Sequence, residues 1–155
     1  YFTNPGWYDD GRRLLIASDR NNKSNLFGLD IASGDIEQLT DLDEANRSFL
    51  PTCVNPIRSE AYFRDRDSYY AIDLKTRQTR EVFHIGADWN LHMSNCAADG
   101  EHVYLSIFHD PEGLIKRFGS AASPKMWESR PLSRIVQIPC GGGEPKIIRL
   151  RPPDV

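Results

Sequence analysis

No run in this chain is apolar for the roughly 20 residues that a membrane-crossing helix needs, so no such helix is expected. Basic charge is not in surplus. Nineteen Lys and Arg face 22 Asp and Glu, giving a net charge of −3. Nucleic-acid binding draws on a concentrated excess of Lys and Arg, and here the two signs are interspersed, which argues against such a partner. Cysteine is scarce: Cys53, Cys96 and Cys140 are odd in number and fit no metal-ligand spacing. They read as small, half-buried strand residues, with one disulfide left open in an oxidising compartment. The four histidines, His84, His92, His102 and His109, include no pair at ligand spacing, so no metal ligand is assigned. Helix signals are nearly absent. Both ends are abrupt, Tyr1-Phe2-Thr3-Asn4 and Arg151-Pro152-Pro153-Asp154-Val155. The expectation is a piece of a longer protein, with an earlier segment or leader removed. The cytoplasm is the expected compartment and the periplasm the alternative.

What the chain does have is repetition. One unit runs Asn25-Leu26-Phe27-Gly28-Leu29-Asp30-Ile31, a short turn, then Ile36 to Thr40. A second copy runs Tyr69 to Leu74, a turn at Lys75-Thr76-Arg77-Gln78, then Thr79 to Phe83. A third runs Arg134 to Cys140, a turn at Gly141-Gly142-Gly143, then Glu144 to Ile148. In register, Leu29, Ile72 and Ile138 are equivalent, as are Phe27, Tyr70 and Val136. Alternate apolar positions are the period of a pleated strand. Asp30 and Asp73 fall at one equivalent position and read as serving blade structure.

Another unit precedes each copy. Trp7 to Ser18 is a strand, an Asp-Gly hairpin and a strand, and Cys96 to Ser106 repeats it. Asn55 to Phe63 is a middle copy without the glycine. Leu14 to Ala17 and Val103 to Leu105 are apolar on both pleat faces, as in a strand flanked by sheets on both sides. Four short antiparallel strands per roughly 40–45 residues is the period of a β-propeller blade. A β-sandwich does not require such in-register repetition.

The expected fold is therefore all-β: a partial propeller of about three four-stranded antiparallel blades, over residues 1–42, 43–86 and 87–155. The third carries an inserted loop at 109–131. Three blades cannot close a ring, so the remaining blades are expected from another segment of the parent or from another chain.

The segment Tyr1 to Arg20, its continuation through Asn25-Leu26-Phe27 to Asp41, and His92-Met93-Ser94-Asn95-Cys96-Ala97-Ala98-Asp99-Gly100 resemble the early blades of oligogalacturonate lyases. The late insertion before Ser133-Arg134-Ile135-Val136 fits the same order of elements. The resemblance implies a seven-bladed ring that cleaves pectin-derived oligogalacturonides by metal-assisted β-elimination, with manganese held by a histidine cluster in later blades. No metal site and no catalytic base are carried over to this chain, which alone is expected to be an inactive scaffold. More distantly, the Asp-Gly hairpin and Ser18-Asp19-Arg20 are similar to TolB-like repeats, which implies a non-catalytic protein-interaction propeller as the alternative. Prolyl-peptidase propellers share the motif too, but the Gly-x-Ser-x-Gly nucleophile segment is absent here.

In a propeller, loops entering the innermost strands and loops between second and third strands share one face. Those loops hold the candidate substrate-binding residues His92, Arg20, Arg47, Arg117 and Trp127. Arginine suits a uronate carboxylate because its planar fork binds bidentately, and tryptophan offers a flat apolar surface to a sugar ring. Each has a plainer reading. Arg20 pairs with Asp19 or caps its turn, Arg47 is a solvated loop charge, and His92 is a hydrogen-bonded residue at a strand start. Trp7 and Trp89 read as inter-blade packing, and His84 and His102 as surface residues.

Overall fold

A computed structural model describes residues 6–20, 22–42, 53–113 and 132–149. Among them are three four-stranded antiparallel sheets and no helix. The first contains β1 (Trp7–Tyr8), β2 (Arg13–Ser18), β3 (Asn25–Asp30) and β4 (Ile36–Gln38). The second contains β5 (Cys53–Asn55), β6 (Glu60–Asp65), β7 (Ser68–Asp73) and β8 (Thr79–His84). The third contains β9 (Trp89–Cys96), β10 (His102–His109), β11 (Ser133–Pro139) and β12 (Lys146–Arg149). Within each sheet the strands lie in chain order. The first strands are neighbours as well, β5 touching both β1 and β9. This is a partial β-propeller seen as three consecutive blades.

The turns explain the repetition. Asp30 Oδ1 accepts the backbone N–H groups of Ala32 and Ser33 at 3.0 and 3.2 Å. Asp73 Oδ1 accepts those of Lys75 and Thr76 at 2.8 Å each. Each aspartate thus closes the same side-chain turn. The fifth residue of each turn needs a left-handed backbone; Gly34 supplies it in blade one and Arg77, with φ of 66°, in blade two. In the β5–β6 hairpin that lacks glycine, Ser59 takes a φ of 54°.

Blade two is packed on both faces. Toward blade one, Val54, Ala61, Phe63 and Ile72 join Tyr8, Leu15, Leu26 and Leu39 in one core. Toward blade three, Cys53, Tyr62, Tyr69 and Ala71 join Val103, Leu105, Ile107, Val136 and Ile138 in another. Full burial of side chains such as Phe63 and Ile72 stabilises by about 1.5–3 kcal/mol each. Tyr62 and Tyr69 stack with ring centroids 6.3 Å apart. Polar clasps accompany the second core. Asn55 donates to the Gly100 carbonyl at 2.8 Å, and Arg80 joins Glu60 at 2.7 Å to the Cys140 carbonyl at 3.0 Å.

Inter-blade packing holds for Trp89, which lies against the second core; Trp7 has no such neighbour among the described residues. Trp7 is 45% exposed. It pairs with Leu14, on the alternation opposite to Tyr8 and Leu15, and no sheet covers that side among the described residues. For the same reason Leu14 and Ile16 are only half-buried, although β2 reads as apolar on both faces.

Candidate functional site

Backbone hydrogen bonds fix which loops share an end of the molecule. Asp67, in the β6–β7 turn, accepts the N–H groups of Ile85 and Gly86, which lead toward β9. Asp110, just after β10, donates its N–H to the Asp88 carbonyl at 2.7 Å, and His109 donates to the Leu132 carbonyl at 2.9 Å. The ends of β6 and β10 and the starts of β7, β9 and β11 therefore meet on one face.

Two side-chain groups occupy that face. In the first, Arg64 of β6 donates to Asn90 Oδ1 and to the Trp89 carbonyl, both at 3.2 Å, and to the Arg66 carbonyl at 2.6 Å. Asp67 lies 3.9 Å from it. Asn90 then donates to Asp110 Oδ2 at 2.7 Å. Burial pushes the Arg64 guanidinium below its usual range, with Asp67 opposing that shift. This network ties blade two to blade three, and each nitrogen of the Arg64 guanidinium takes part in it.

In the second group, the guanidinium of Arg134 lies over the indole of Trp89, 4.2 Å from its centroid. His109 tilts against the same indole at 5.1 Å. Arg134 comes from β11, Trp89 from the start of β9 and His109 from the end of β10. The register that pairs Trp89 with His109 and Ile107 with Arg134 brings them together.

Of the expected site residues, His92 and Arg20 fall among the described residues. His92 is exposed in β9, at a bulge: Leu91 pairs with Ile107 and Met93 with Ser106, so His92 is the extra residue. Bulges re-aim side chains, and this one sets His92 apart from the ladder. Arg20 is exposed and lies over Phe27 at 5.6 Å; it forms no ion pair with Asp19 among the described residues. Arg47, Arg117 and Trp127 lie outside the described residues. Sequence reasoning missed Arg64, Asp110 and Arg134, whose partners are far away in the chain.

Other polar constellations among the described residues are structural. Ser68 Oγ donates to Glu81 at 2.9 Å and meets His84 Nδ1 at 3.0 Å. The serine proton is directed at the carboxylate, with no histidine relay between them, so this is no activated nucleophile. A groove of about 630 Å³ runs past Lys23, Asn25, Gln38, Thr40, Asp41 and Arg77. Its Asn25 and Thr40 are bonded to each other at 3.0 Å, and Arg77 is held by Glu37. Among the described residues, no group of three or more His, Cys, Asp or Glu could hold a metal ion.

The three sheets and their shared face define a β-propeller segment, and known structures agree. An oligogalacturonate lyase from Vibrio parahaemolyticus superposes with a TM-score of 0.71 at 16% identity, over 95% of this chain and 39% of that one. An oligogalacturonate lyase in complex with manganese gives 0.71 at 17% identity, over 94% and 39%. TolB from Acinetobacter baumannii gives 0.59 at 20% identity, over 92% and 31%. The chain thus spans about two fifths of the length of the two lyases. At these identities the likeness establishes the fold. The chain matches no protein-family profile and no curated protein sequence.

Proposed function

We propose that this chain supplies three blades of an oligogalacturonate lyase, with the remaining blades completing the ring and the substrate an acidic oligosaccharide derived from pectin. The observation that carries the reading is the TM-score of 0.71 to two such lyases over about the whole chain, together with the resemblance of the Tyr1 to Arg20 and His92 to Gly100 segments. In this reading the protein works in the cytoplasm.

The reaction is a β-elimination. A base takes the proton beside the uronate carboxylate, the electron pair forms the ring double bond, and the glycosidic oxygen leaves. The carboxylate must be neutralised for that proton to be acidic. A divalent cation such as manganese would serve, but the described residues of this chain do not fit one. On the family resemblance, the metal is assigned to blades outside this chain. What this chain contributes is the packed wall of the mouth and the arginines on it.

The test is an assay of the longer parent on oligogalacturonides, following the ultraviolet absorbance of the unsaturated uronate, with and without manganese. The expected result is a metal-dependent rise for the parent and none for these three blades alone. A parent that binds a protein partner and yields no unsaturated product would replace this reading with that of an interaction propeller.

A further inference from the structure

We propose that Arg134 anchors the carboxylate of a uronic-acid sugar, with Trp89 as the residue that positions it. The sugar class rests on the lyase reading, whereas the anion site rests on geometry alone. Most of the charged arginines in the described blades are engaged by carboxylates. Arg12 pairs with Asp30, Arg13 and Arg77 with Glu37, Arg58 and Arg80 with Glu60, and Arg64 with Asp67. Arg134 has no carboxylate partner among the described residues. Its guanidinium lies over the Trp89 indole at 4.2 Å.

A guanidinium seated over an indole face is attracted by the ring, an interaction that uses none of its N–H donors. An arginine with free donors can grip one carboxylate with two parallel hydrogen bonds. Arg134 is half-buried, so the charge is partly shielded from water and the bond it makes is stronger than at an open surface.

The position is also suitable. Arg134 stands at the end of blade three where β9 begins and β10 ends, beside the Arg64–Asn90–Asp110 network that holds this face rigid. A single fork matches a monoanionic carboxylate better than a phosphate, whose larger charge calls for more donors.

The experiment titrates the ¹⁵N-labelled full chain with digalacturonate, with the corresponding neutral galactose disaccharide and with inorganic phosphate, and follows the Arg134 Nε–H and Trp89 indole N–H resonances. Digalacturonate should shift both saturably, and the neutral sugar should not. Arg134→Gln should weaken binding about tenfold or more. Arg134→Lys, which keeps the charge and loses the fork, should fall in between. Trp89→Phe keeps an aromatic seat and should retain more affinity than Trp89→Leu, in which the Arg134 resonance should also lose its ring-current shift. Equal binding by Arg134→Gln, equal binding of the neutral disaccharide, or tighter binding of phosphate would overturn the proposal. If the parent forms no unsaturated product while the Arg134 shift with digalacturonate persists, the lyase reading fails and the carboxylate site stands.

Discussion

Glu37 of blade one and Arg77 of blade two meet at 2.7 Å, although Arg77 reaches across from a left-handed backbone with φ of 66°. The second carboxylate oxygen of Glu37 accepts from Arg13 at 2.8 Å. One carboxylate thus joins two blades, and a non-glycine residue holds a costly conformation at the point where its side chain is needed. That conformation costs about 1–2 kcal/mol for a residue with a Cβ.

Glu37→Gln should destabilise the chain by about 1 kcal/mol, since the groups are half-exposed and solvent-screened. Arg77→Gly should be nearly neutral in the native background, because relief of the backbone offsets the lost bridge. In the Glu37→Gln background the same substitution should stabilise. Urea unfolding of the four variants reads this directly. An equal loss from Arg77→Gly in both backgrounds would show that the bridge has no such role.

The acid limb of stability follows from four carboxylates held below their usual range. Backbone N–H groups do this for Asp30, Ser33 first, and for Asp73, Thr76 first. Arg77 does it for Glu37. For Glu60, burial pushes the other way, and Arg80 with Tyr62 outweighs it. A depressed carboxylate contributes stability above its unfolded pKa, and that contribution disappears as pH falls through the folded one. Stability should therefore be flat near neutrality and decline from about pH 5 downward. Denaturant midpoints measured across that range should show a smaller decline in Asp30→Asn and Asp73→Asn, which keep the acceptor oxygen but do not titrate. Asp→Ala at either site should lower the midpoint at neutral pH as well. An unchanged acid slope in the asparagine variants would contradict the turn assignment.

Gly28 sits in the middle of β3, where the Tyr8 hydroxyl lies against it; a Cβ there would collide with that oxygen. Tyr8 is 5% exposed and belongs to the core between blades one and two, so it cannot swing into water. Gly28→Ala should cost about 1–3 kcal/mol as overpacking. Tyr8→Phe removes the oxygen and should recover part of the loss when combined with it. Thermal unfolding of the single and double variants checks this, and strictly additive losses would mean that the contact is not the cause.

The architecture was legible in the sequence because it depends on local signals repeated in register. Asp30 and Asp73 mark the same turn twice, and the alternation around Leu29, Ile72 and Ile138 marks the same strand three times. The face that carries the candidate site was not legible in this way. Arg64 meets Asn90 across 26 residues, Asn90 meets Asp110 across 20, and Arg80 reaches Cys140 across 60. No periodicity encodes such pairs. Trp7 is a different case: its apolar character calls for a neighbouring sheet, and none is present on its side among the described residues. His92 was picked out by position, but its standing as the extra residue of a bulge emerged only from the pairing of β9 with β10.

The cysteines test the inter-blade core directly. Burial pushes the Cys53 thiol up to about 11, with the Tyr69 and Ser94 hydroxyls pulling weakly the other way. Cys96 is pushed up to about 12, again chiefly by burial. The thiolate is the reactive form, so near pH 8 almost none is present at either position in the folded chain. Alkylation by iodoacetamide at that pH should be slow for both, and should accelerate to the rate of an ordinary thiol once urea separates the blades. Peptide mapping after timed quenching distinguishes the three sites. Cys96 is the sharper test because it is only partly covered. Rapid labelling of Cys96 in the native state, with the sheets intact by circular dichroism, would mean that blades two and three open at that end without unfolding.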